Sequence, residues 1–346
     1  MAGRSHFLRS RSGANGLRQP MKAAQQRRTP RRFALPEANL HSRQRLGVRH
    51  RCAALFRARF LILLCVITLA SVAFGADKKI VLIAGRPSHG PGDHEFRAGS
   101  LLLQKCLSGV PGITSVVYSN GWPDEASAFD GAAAIFIYAD GGGGHPAIKP
   151  ERLKFLGELM SKGIGLGLAH YAVEVPKDKG GPEFLDWTGG YFEAFWSVNP
   201  HWDADFTNLP NHPITRGVKP FKIRDEWYYH MRFREGMKGV TPILTAVPPD
   251  QTRGKEGDRK SHGGNPDVLA RKGMPEHVMW VTERPDGGRG FGFTGGHFHR
   301  NWGDENFRKI ILNALLWIAK AEVPASGVES KVSPEDLKTN LDVKKK

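Results

Sequence analysis

Cysteine is scarce in this chain: three occur in 346 residues, and two of them, Cys52 and Cys65, precede residue 77. With Cys106 alone beyond that point, no internal disulfide can form, so the fold must rest on a packed core. Cys106 lies in the apolar stretch Leu101–Leu107, which suits a small buried hydrophobe better than a nucleophile. Acidic residues are also scarce near the start. Residues 1–59 hold fifteen Lys and Arg against one acid, Glu37, which accounts for +14 of the formal +16 and leaves +2 for the rest. A body that close to neutral needs no basic face long enough to follow a phosphate backbone, so no nucleic-acid partner is expected. The nucleotide signatures are missing too. There is no G-x-x-x-x-G-K-[ST], and no G-x-G-x-x-G follows the first apolar run, so no nucleotide cofactor is expected. H-E-x-x-H is absent as well.

The stretch Phe60–Ala76 is apolar, follows the basic segment and ends in small residues ahead of Asp77. Residues 1–58 read as a basic disordered leader, and 59–76 as the hydrophobic region and cleavage site of a secretory signal. The expected location is periplasmic or secreted, with membrane contact only through the leader. From residue 77 the pattern becomes that of a folded domain. Apolar runs at 79–85, 114–118, 132–138 and 164–169 have strand length. Helical patterns at 95–107 and 150–162 separate them, the second opened by Pro150 and closed by Gly163. This βαβ rhythm predicts an α/β fold with a doubly wound, mainly parallel sheet. Residues 171–275 are rich in Pro, Gly, Trp and Asp and carry short β patterns at 192–198, 221–229 and 241–247, a long β-rich insertion. A strand pair at 277–283 and 289–294 and a helix from Asp304 complete the domain at 320. Residues 321–346 lose the apolar pattern and read as a flexible tail.

Ligands bind outside the carboxyl ends of strands in such sheets. Each of four predicted strand ends is followed by histidine: His89 and His94, then His145, then His170, then His297 and His299. Several imidazoles with a carboxylate such as Glu226 can hold zinc or another divalent metal, or share acid–base work near neutral pH. No local spacing fixes the ligand set. The turn Gly165–Ala172 resembles a nucleophile elbow with His170 at its apex, where Ser or Cys would be required for an acyl-enzyme. Trp196, Trp202, Trp227, Tyr228, Tyr229, Phe298 and Trp302 lie near these polar residues in sequence, and those that are not core would suit a sugar ring.

Taken in order, the strand ending in Gly-x-x-Ser-His, the glycines before His145, Leu168-Ala-His170, Asp225-Glu226-x-Tyr and Gly-His297-x-His-Arg-Asn resemble the ThuA-like family. That family is named for trehalose utilisation and belongs to the class I glutamine amidotransferase-like superfamily. The resemblance implies a flavodoxin-like sheet over residues 77–320, with His170 where an amidotransferase keeps its cysteine, which argues against glutamine hydrolysis. It also implies a small carbohydrate substrate, a sugar or keto-glycoside. The site so composed has His170, His297 and Glu226 as catalytic groups. His94, His170, Glu226 and His297 are its candidate metal ligands. His89, His145, Tyr171, Trp227, His299 and Arg300 are placed against the substrate. A carbohydrate-binding module without catalysis is the competing reading.

Overall fold

The computed structural model describes residues 77–257 and 263–344. The basic leader and the signal-like run therefore lie outside the described residues. Among those described, no helix is long and apolar enough to cross a membrane.

The first half alternates as its hydrophobic pattern dictates: β1 (Lys78–Ala84), α1 (Phe96–Leu107), β2 (Ile113–Tyr118), β3 (Ala132–Tyr138), α2 (Pro150–Ser161) and β4 (Gly165–Ala169). An insertion follows, with α3 (Gly181–Thr188), β5 (Gly190–Tyr191), β6 (His201–Phe206), β7 (Phe221–Glu226) and β8 (Arg232–Phe233). The chain then returns through β9 (Val240–Ala246), α4 (Pro266–Ala270), β10 (Glu276–Glu283), β11 (Arg289–Phe293) and α5 (Glu305–Ile318).

Seven of these strands form one sheet in the order β2-β1-β3-β4-β11-β10-β9. The pairs from β2 through β11 are parallel, while β10 runs antiparallel to both β11 and β9. The parallel part has the doubly wound order in which the chain reverses direction between β1 and β3. Along β1 the side chains alternate between two cores. Ile80, Leu82 and Ala84 join the face covered by α1 and α5, and Val81 and Ile83 join the face covered by α2 and α3. Both faces are dry, so the strands are continuous apolar runs. α5 starts where Asp304 accepts the Phe307 amide at 2.9 Å, a side-chain N-cap, and α2 starts at Pro150.

Three expectations change. The pattern at 241–247 is β9, an edge of the main sheet, so the insertion is shorter than predicted. The strand expected at 192–198 makes only single bridges, Glu174 to Phe192 and Val198 to Tyr229. The insertion's strand is instead β6, whose side chains alternate exposed and buried against β7. The third change is the flexible tail. Residues 321–344 are anchored at points along a largely exposed path, with Val323 and Val328 buried in the α1/α5 core. Asn313 on α5 accepts the Val328 amide at 2.8 Å, and Arg308 donates to Ser330 Oγ at 2.8 Å. The segment has no helical or strand period because its anchors are spaced irregularly, each meeting a different group on α5 or α1.

Candidate functional site

The strand ends bring four groups together. His94 comes from the loop after β1, His170 from the turn after β4, His297 from the loop after β11 and Glu226 from the last position of β7. His94 Nε2 is 2.9 Å from His170 Nε2 and 3.0 Å from His297 Nδ1. Glu226 Oε2 is 3.0 Å from His297 Nδ1 and 3.5 Å from His170 Nε2. One ligand atom from each lies within 4.8 Å of all the others. These are the four residues expected to gather around a metal.

Their backbone is unusual. His94 has φ 48° and His170 φ 53°, and neighbouring His89 has φ 59°. The left-handed region disfavours side chains with a Cβ, although histidine tolerates it better than most. A strained turn at the end of β4 is the expected elbow geometry, with imidazole at its apex. Gly296, at φ 111°, lets the β11 loop pass beside it in a backbone conformation that residues with a side chain rarely adopt.

The outward nitrogens are bonded to acceptors. His170 Nδ1 donates to Thr294 O at 3.0 Å, and His94 Nδ1 lies 3.1 Å from Asp140 Oδ1, which also accepts from Ser88. With its proton on Nδ1, His170 presents an Nε2 lone pair to His94 Nε2 at 2.9 Å. Burial, with His89 and His297 nearby, holds His94 down to about 2, and burial beside His94 keeps His170 well below the usual histidine range. Burial also pulls His297 down, but the hydrogen bond and charge of Glu226, with Asp93 behind, raise it above its usual value. Glu226 is raised by burial and brought lower overall by His297 and His170.

Several participants were not anticipated. Tyr228 Oη is 3.3 Å from both His170 Nε2 and Glu226 Oε2. Asp93 Oδ1 lies 3.7 Å from His297 Nε2, and the His201 ring meets that of His297 edge-on at 4.8 Å. Asp225, fully buried, accepts the Gly296 and His297 amides at 2.8 and 3.0 Å and so fixes the β11 loop. Glu174 is buried, and desolvation together with Glu226 pushes it up to about 7. Period-2 alternation beyond β7 could have found Tyr228: Glu226 and Tyr228 share one direction, Asp225 and Trp227 the other.

That alternation corrects Trp227. It is fully buried, and its ring packs on Phe206, Phe293 and Phe307, away from any substrate. His145 stands apart from the cluster, on the lining of the cleft outside β1, β2 and β3. Its Nδ1 accepts the Ala147 amide at 3.1 Å and its ring packs edge-on against Phe184, so it closes the β3 loop rather than the cluster. His299 is buried beneath the C-terminal segment, its backbone amide bonded to Gly92. Arg300 is exposed, its guanidinium 4.0 Å over the Phe298 ring. His89 and Tyr171 do stay beside the cluster: the His89 ring stacks on His94 at 3.6 Å and the Tyr171 ring lies 6.1 Å from it. A cleft of about 740 Å³ opens outside β1, β2 and β3, lined by Arg86, Asn120, Trp122, Asp140, Lys149 and Arg152. It adjoins the cluster through Asp140 and does not contain it.

The doubly wound sheet with a site at its strand ends is consistent with the class I glutamine amidotransferase-like superfamily. A family model described as ThuA, trehalose utilisation, matches residues 133–318, more than half of the chain. The chain belongs to the ThuA family. A solved structure of a protein described as ThuA-like, from Bacteroides uniformis, is 15% identical with a TM-score of 0.51, over 72% of this chain and 94% of that one. Another, from Parabacteroides merdae, is 16% identical with a TM-score of 0.47, over 75% and 94%. The first of these supports the fold alone. No curated protein matches the chain.

Proposed function

We propose that this ThuA-family protein is an exported, metal-dependent enzyme of carbohydrate catabolism acting on a sugar or keto-glycoside. The observation that carries the metal is the convergence of three imidazole nitrogens and one carboxylate oxygen. Nε2 of His94 and Nε2 of His170 face each other at 2.9 Å, with His297 Nδ1 and Glu226 Oε2 completing the ring. Donor atoms this close together can share one cation. Around a tetrahedral ion with bonds of about 2.0 Å, ligand atoms lie about 3.3 Å apart, near the four separations of 2.9, 3.0, 3.0 and 3.5 Å, with all the ligand atoms within 4.8 Å of one another. The outer bonds to Thr294 and Asp140 are the orienting contacts that metal-bound imidazoles need. Three histidines and one carboxylate suit zinc.

An ion there would polarise a carbonyl or hydroxyl of the substrate. Glu174, held near 7, is matched to moving a proton at neutral pH, and Tyr228 could donate to a developing oxyanion. The cleft beside Asp140 offers Trp122 and polar groups to the rest of a sugar. The family description supports a carbohydrate substrate. His170→Ala and His297→Ala variants, folded by circular dichroism, are expected to lose turnover of a keto-glycoside. Full turnover in either would overturn the reading. Sugar binding without product would instead favour the carbohydrate-binding module. Export through residues 59–76 is checked by fractionating cells that express the full chain, with the mature form expected outside the cytoplasm.

A further inference from the structure

The segment that the pattern presents as a tail reaches back to the site. It leaves α5, is pinned by Val328 on Asn313 and by Asp336 to Lys105 at 2.5 Å, and passes Arg97, which donates to Asn340 O at 3.0 Å. It then meets the loop that carries His94. Glu95, 1% exposed, receives the Asp342 amide at 2.8 Å through one carboxylate oxygen and the Gly92 amide at 3.0 Å through the other. The Lys344 ammonium, its side chain 3% exposed, lies 3.2 Å from Glu95 and donates to the carbonyls of Gly90 and Asp93. One buried cation thus ties together three residues of the loop 90–95. That loop holds His94 in left-handed backbone and Asp93 against His297. A buried ion pair this far along the chain would be costly if its carboxylate were not met by other donors. Here two backbone amides meet it.

We infer that residues 333–344 clamp the His94 loop, and that Lys344 is a positioning residue that sets how tightly the four-ligand cluster keeps its ion. The metal part rests on the reading above, and the clamp itself can be read without it. Lys344→Met is compared with Lys344→Arg and with Val328→Ala, which loosens the segment away from the loop. Zinc titration of the metal-stripped full chain is expected to show affinity 10–100-fold weaker in Lys344→Met. Lys344→Arg should recover most of it, while Val328→Ala should lower the melting temperature and leave affinity unchanged. Amide exchange at Gly92 and His94 should be at least tenfold faster in Lys344→Met, whether or not zinc is present. Exchange unchanged in Lys344→Met would overturn the clamp. Faster exchange with zinc affinity unchanged would overturn the positioning role, and failure of the unsubstituted protein to bind zinc would sink the metal reading while the exchange result still decides the clamp.

Discussion

The loops after β3 and β4 look alike in sequence, each an apolar strand running into a short segment with a histidine, yet they do opposite work. After β3 the glycines let the chain lie flat on residues 171–174. A Cβ on Gly141 would stand 2.0 Å from Tyr171 O, and the turn sends His145 inward to satisfy Ala147 and pack on Phe184. After β4 the chain turns at once, with His170 at φ 53°, and the ring is thrust among His94, His297 and Glu226. His170 takes its aim from β4 itself, whereas His145 follows its loop; His94 and His297 also sit on loops, and their loops turn toward the cluster.

The comparison can be broken in order of effect. The largest change is expected at the elbow. His170→Asn keeps a residue that tolerates left-handed backbone but loses the imidazole, and zinc affinity should fall on the order of a thousandfold, beyond the 10–100-fold typical of supporting residues. Calorimetric titration reads it, and affinity within tenfold of the parent would count against the cluster. Next is Asp140→Asn, which loosens the outer bond of His94 and should weaken zinc 10–100-fold with little change in melting temperature. His145→Ala should do the reverse, costing about 2–3 kcal/mol of stability by chemical denaturation while zinc affinity holds.

Acid sharpens the same contrast through His145. Burial keeps it neutral in the fold down to about 3, while the unfolded chain protonates it near 6.5. Between those values the unfolded state binds the extra proton, so stability contributed above pH 6.5 is lost as pH falls toward 3. The slope approaches about 1.4 kcal/mol per pH unit, and denaturation curves of the parent and His145→Gln should converge as pH drops. The smallest effect is expected at Arg300, exposed on the Phe298 ring, where Arg300→Ala should alter turnover less than twofold in a keto-glycoside assay.

Much of this was legible in the residues. β1, β3 and β4 are continuous apolar runs because both faces of the sheet are covered, and strand ends carried His94, His170 and His297 to one edge. Glu226 was readable as the carboxylate of the Asp-Glu-x-Tyr motif, although the strand expected at 221–229 stops at Glu226 itself. The rest was hidden for stated reasons. Trp227 reads as an aromatic near the site, but one residue along a strand is the opposite face. β6, His-Trp-Asp-Ala-Asp-Phe, alternates exposed and buried, but its two aspartates make it less apolar than the stretch 192–198 before it. Asp140, Asp93 and Glu174 take part through loop geometry that no spacing predicts. Residues 321–344 bind through scattered anchors, so no period announces them.

The central claim is that the four strand-end groups hold one divalent ion. Elemental analysis of mature protein purified without chelator or added metal tests it most directly. The account predicts one zinc per chain in the parent protein and less than a tenth of that in His170→Asn. A parent protein that carries no metal as purified, and takes up none when titrated with zinc, would contradict it.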